Sequence, residues 1–110
     1  MAYYLFTGSY TTDAIKTMVA NPQDREAAAR AAAEAVGAKL HSFFFTFGQS
    51  DVIAIIEADD DIAMSAISLT VGASGSVAHG ATTKLLTAAE AMAAMARAKD
   101  ATGSYSPPGS

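Results

Sequence analysis

The chain contains no cysteine, so it forms no disulfide, holds no metal through thiolates and uses no cysteine nucleophile. It is also poor in positive charge. Seven Lys and Arg stand against eleven Asp and Glu, giving a net charge of −4 and a pI near 4.8. The cations are scattered rather than drawn into a stripe, which argues against nucleic acid or an anionic membrane surface as partner. No stretch approaches the roughly 18 uninterrupted apolar residues of a membrane helix. The N-terminal MAYYLFTGSY lacks the basic region and long apolar run of a secretory signal, so a soluble, cytoplasmic protein is expected. Zinc-ligand spacing, a nucleophile elbow and a phosphate loop are missing as well. GASGS at 72–76 is Gly-rich, but it follows a helix and precedes a strand, the reverse of the phosphate-binding order.

What is present is grease in an unusual distribution. The hydrophobic fraction is 51% over 110 residues, enough for one core, and a single domain is expected over 1–99. From Asp100 the DATGSYSPPGS tail is small, polar and Pro-rich, and 100–110 is expected to be flexible. Between Leu40 and Glu57, LHSFFFTFG and DVIAIIE read as two strands around a Gly-Gln-Ser turn. Strict alternation places Phe43, Phe45 and Phe47 on one face and Phe44 on the other. Ile53 and Ile55 oppose Val52, Ala54 and Ile56. An antiparallel sheet in a small monomer ordinarily keeps one face wet. A hairpin apolar on both faces needs two covers, and a second copy of the chain is the economical second one.

The remaining elements follow from local signals. YYLFTG from Tyr3 reads as a first strand. Thr11, Thr12 and Asp13 offer caps for a helix carrying Ile15, Met18 and Val19. Asn21-Pro22 interrupts it and is expected to restart a second, Ala-rich helix that stops at Gly37. Strands are expected over Lys39–Phe47 and Asp51–Glu57. The run Asp59-Asp60-Asp61 then opens a helix through Val71, its carboxylates opposing the helix dipole. Ser76–Leu86 reads as a fourth strand weakened by Gly80. Thr87 and Glu90 form a capping box ahead of a last helix with Met92 and Met95. The β-α-β-β-α-β order predicts a ferredoxin-like α+β fold: a four-stranded antiparallel sheet, helices on one face, and an extra C-terminal helix. Two such sheets packed face to face would make a dimeric α/β barrel.

The segment from Phe43 to Leu86 resembles the GYD domain family, small bacterial proteins of the dimeric α/β barrel group. The resemblance is carried by Gly48 and Asp51 at the turn, by Glu57 followed by Asp59-Asp60, and by the small-residue helix ending at Gly72. Gly75 and TTKLLT from Thr82 to Thr87 fit too, and the first strand with Tyr10-Thr11 fits more loosely. The family usually carries Gly-x-Tyr-Asp, whereas this chain reads Gly48-Gln49-Ser50-Asp51. Relatives sharing the fold include cofactor-free monooxygenases, lactone isomerases and haem-degrading enzymes, an analogy at the level of fold alone.

His41 and His79 are the only imidazoles and hence the candidates for acid–base catalysis near neutral pH. His41 shares strand parity with Phe43 and Phe45, on a mostly apolar face, where packing is the commoner role. No cofactor is expected, a haem ligand being a narrower form of the histidine reading. Asp51 and Glu57 lie six apart in one strand, about 20 Å, too far to act as a carboxylate pair. The consecutive aspartates 59–61 diverge from a helix start and favour capping over a metal cage. Tyr3, Tyr4, Tyr10, Ser42, Thr46, Thr82 and Thr83 supply hydroxyls on or near strands. In a barrel-like dimer some would line a pocket between sheet and helices, the alternative being cross-strand threonine pairs and tyrosines that bridge core to water. The candidate ligand-binding residues are Tyr4, His41, Phe43, Phe45, Asp51 and Thr83. A homo-oligomer that binds a small apolar ligand or serves as an assembly module is the leading expectation. A cofactor-independent enzyme, monooxygenase- or isomerase-like, acting on a small hydrophobic or aromatic metabolite through His41 or His79 is the alternative.

Overall fold

The computed structural model describes residues 1–109. Four strands form one antiparallel sheet in the order β2-β3-β1-β4, with β1 at Ala2–Tyr10, β2 at Lys39–Phe45, β3 at Val52–Ala58 and β4 at Val77–Leu85. Helices α1 (Thr12–Ala20) and α2 (Arg25–Glu34) link β1 to β2, and α3 (Asp61–Ala73) links β3 to β4. This is the ferredoxin-like α+β arrangement. Along β3 the burial alternates strictly: Val52, Ala54, Ile56 and Ala58 are buried, whereas Ile53, Ile55 and Glu57 are only half-buried. The first set lies under α2 and α3, and Ala54, Ile56 and Ala58 form the core with Tyr4, Leu40, Ala33, Met64 and Ile67. The second set lies on a face that no helix covers.

Each helix starts where a side chain can take up a free backbone N–H. Thr11 Oγ1 accepts from Ala14 N at 3.2 Å, Asp60 accepts from Ala63 N at 2.9 Å, and Asp24 accepts from Ala27 N at 3.1 Å. The second helix therefore begins at Arg25 and not at the expected Asn21-Pro22. Asp caps as well as Asn does, and the later start leaves Asn21 to Asp24 as the link between α1 and α2. Gly37 and Gly75 take φ of 75° and 76° just beyond α2 and α3, where a side chain would be strained.

Two expectations about the hairpin are corrected. Strand β2 ends at Phe45, two residues before Phe47, which is fully exposed. The pairing of β2 with β3 also slips by one between Leu40 and Ser42, leaving His41 without a partner in the register. That bulge resets the alternation. His41 joins Ser42 and Phe44 on the open face, while Phe43 and Phe45 turn to the helix side. His41 does not share a face with Phe43 and Phe45.

Gly80 proves to be more than a weakness in β4. It sits opposite Gly8, and a Cβ at either position would lie 3.3 or 3.0 Å from the Phe6 ring. The paired glycines leave room for the end of that ring beside both strands.

The last helix, α4 (Ala88–Ala101), carries the expected capping box: Thr87 Oγ1 accepts from Glu90 N and the Glu90 carboxylate accepts from Thr87 N. It is followed directly by a 3-10 turn at Thr102–Ser104. It buries nothing: Met92 and Met95 are exposed, and its substantial contacts are with that turn alone. The molecule measures 60 × 34 × 21 Å with a radius of gyration of 17.9 Å, against about 13 Å for a compact domain near this length.

Candidate functional site

The helix-covered face of the sheet does not close completely. α2 presents Ala28, Ala29 and Ala32 toward the sheet, and α3 presents Ile67, Thr70 and Val71. Alanines opposite Phe6 and Phe43 leave a cavity of about 220 Å³ between the layers, floored by Val52, Ala54 and Ile56. Protein interiors ordinarily pack to crystal-like density, and an apolar void of about 150 Å³ is enough to admit benzene. One end is walled by aromatics. Tyr10 stacks on Phe45 at 6.1 Å between ring centroids, and Phe45 meets Phe43 edge-on at 5.8 Å.

At its mouth the cavity meets a more polar cleft. Tyr10, Arg25, Ser74 and Ser76 line both, and Thr11, Asp13, Thr17 and Gln23 line the outer one. The strand and loop ends around the mouth are tied together by backbone. Thr11 N donates to Ser76 O at 2.9 Å, and Asp51 accepts from Tyr10 N at 2.9 Å while its own N–H donates to Gly8 O at 2.8 Å. Asp51 thus latches the hairpin turn to the end of β1, and Ser50, in the position of the family's tyrosine, accepts through its carbonyl from the Thr46 hydroxyl.

A second polar constellation lies on the open face. His41 Nε2 and Glu57 Oε1 are 2.7 Å apart, with the Tyr3 ring 5.5 Å from the imidazole. A carboxylate so placed fixes the imidazole's orientation, as an acid–base group requires. His79 pairs with Ser9 at the other end of β1, six residues from Tyr3 and so about 20 Å along the strand. The two histidines do not converge, and neither lines the cavity or its outer cleft.

The residues singled out from sequence therefore divide among several places. Phe43 lines the cavity and Phe45 stacks at its end. Asp51 is held in the turn. Thr83 faces outward on the open side, opposite Leu5. Tyr4 is buried on the helix side, but it points to a separate groove beside α3 and β4, where its hydroxyl donates to Asp61 at 2.5 Å and Lys84 Nζ lies 3.2 Å from the same carboxylate. That hydrogen bond, with burial and the charges of Asp61 and Asp60, pushes the Tyr4 phenol up to about 12. The bonds from Tyr4 and Lys84 hold the Asp61 carboxyl below its ordinary value. The cavity residues missed were Phe6, Arg25 and the α2 alanines. The visible signal was the spacing of Ala28, Ala29 and Ala32, which marks a helix face too small to fill the space above two phenylalanines.

Sheet order and helix placement define a ferredoxin-like α+β domain with a partly open apolar pocket between its layers. The family model of the GYD domain matches residues 4–95, and the chain belongs to that family. No curated protein sequence matches it. Among solved structures it is similar to a transcriptional regulator of Neisseria meningitidis crystallised as a complex with L-Met. The two share 20% identity with a TM-score of 0.57, over 79% of this chain and 51% of the regulator. The chain thus spans about half the length of that protein, and the likeness is one of fold. No helix among the described residues is long and apolar enough to cross a membrane.

Proposed function

We propose that this GYD domain is a small-molecule-binding module that works as a homo-oligomer, with a mostly apolar ligand held between sheet and helices and a second copy covering the open sheet face. The observation that carries the reading is the pocket of about 220 Å³, mostly apolar within and more polar at its mouth, which is the usual make-up of a ligand site. The L-Met complex of the structurally similar regulator supports small-ligand binding by this fold. Oligomerisation is supported by the uncovered face, where Leu5, Phe44, Ile53, Ile55 and Leu85 form one apolar surface across all four strands. The acid–base alternative has an oriented His41, but its substrate would have to be met on that same open face.

Benzene and L-methionine are suitable first probes, followed by amide chemical shifts. Perturbations centred on Phe6, Ala29 and Val71 and abolished by Ala29→Phe support the site. Shifts confined to the open face, or none with either probe, overturn it.

A further inference from the structure

The cation at the cavity mouth has no anion. Arg25 is half-buried at the first position of α2, and one of its guanidinium nitrogens donates to Gln23 Oε1 at 2.9 Å. It makes no ion pair among the described residues. The carboxylates beside it in sequence are occupied: Asp24 caps α2 through Ala27 N, and Glu26 pairs with Arg30 at 2.9 Å. Asp13 shares the outer cleft without pairing with it. A guanidinium is always charged and presents five N–H donors in a planar fork that matches a carboxylate. Most of that fork is unused.

Its position gives the vacancy a direction. Arg25 belongs both to the wall of the apolar chamber and to the polar cleft outside it, as do Tyr10, Ser74 and Ser76. A molecule with an apolar body and one acidic end would place each end in a matching environment. The chamber's volume equals roughly seven water-sized groups at about 30 Å³ each, which limits the body to a short alkyl chain or a single ring. One guanidinium, a nearby Asp13 and an acidic chain suit a monoanion better than a phosphate.

We propose that the cavity selects small monocarboxylic acids with an aliphatic or aromatic body, the carboxylate being held by Arg25 at the mouth. The proposal rests on the cavity reading above and narrows it. The test is calorimetric titration with octanoate and with 1-octanol, which share a chain and differ in the charged end. The wild-type protein should bind octanoate about 10- to 100-fold more tightly, the usual worth of a charge-assisted hydrogen-bonded contact. Arg25→Gln should erase that preference by lowering octanoate affinity about 10- to 100-fold more than octanol affinity, and Arg25→Lys should restore part of it. Ala29→Phe, or Ala28→Met if the former misfolds by circular dichroism, should abolish binding of both.

Equal affinity for the two probes, or an unchanged ratio in Arg25→Gln, overturns the carboxylate assignment and leaves the cavity reading standing. Failure of both probes to bind the wild type overturns both. Octanoate binding that survives filling the cavity places the acid elsewhere and also defeats the proposal.

Discussion

The two faces of strand β3 carry nearly the same chemistry and meet opposite fates. Val52, Ala54 and Ile56 are sealed beneath helices, while Ile53 and Ile55, one residue away, lie half-open with Phe44 beside them exposed to 62%. On the covered face the packing partners are Met64 and Ile67 from α3 and Ala33 from α2, all buried. On the other face no element of the chain is available. The difference shows that a strand apolar on both sides has one side that this chain's own helices cover and one that they leave open. On the function proposed above, it also separates the duties of the sheet: the covered face lines the cavity, and the open face is left for assembly.

The sharpest way to break this comparison is to truncate on each side in turn. Met64 is 2% exposed, so Met64→Ala should lower unfolding free energy by about 2–5 kcal/mol in a urea titration. Phe44→Ala, in a monomeric background, should cost within about 0.5 kcal/mol, because the ring has little to lose. Equal losses would mean that the open face is packed within one chain. Next in size, Gly80→Val should displace the Phe6 ring, which a Cβ there would meet at 3.3 Å, and weaken benzene binding as well as stability. Unchanged binding would show that Phe6 does not shape the chamber.

The Tyr4–Asp61 pair predicts a pH signature at both extremes. The folded state keeps the Tyr4 proton between its ordinary 10.0 and about 12, so that contribution is full below pH 10 and is lost as pH rises through this window. Asp61 is held below its ordinary 3.8, so its contribution is present above that value and is lost as pH falls beneath it. Asp61→Asn should flatten both limbs of the stability profile and bring the highest tyrosine step in an absorbance titration down toward 10. The smallest effect is expected from removing residues 88–110 in a monomeric background. α4 buries nothing, so the unfolding free energy of the remainder should change by less than about 0.5 kcal/mol.

Much of the fold could be read from local chemistry. The assignments of Val52, Ala54 and Ile56 to one face and Ile53 and Ile55 to the other hold, as do the caps at Thr11, Asp60 and Thr87. These depend on a residue and its near neighbours along the chain. What escaped depends on neighbours across space. The bulge that turns His41 to the open face is a property of β2 pairing with β3, and nothing in LHSFFF announces it. The α2 start at Arg25 reflects a choice between two competent caps, Asn21 and Asp24. The cavity arises because the small face of an Ala-rich helix happens to lie over Phe6 and Phe43. Alanine runs advertise helix propensity, and only the packed structure shows the space they leave. Arg25 was passed over for the same reason, since its unpaired charge matters only at the mouth of that space.

Sedimentation velocity of the wild type and of Ile53→Asp at micromolar concentration tests the division of labour between the faces most directly. This division predicts a wild-type dimer or higher oligomer, and an Ile53→Asp protein that sediments as a monomer with an unchanged circular dichroism spectrum and retained benzene binding. A wild type that sediments as a monomer would contradict it, since the open face would then need no second copy.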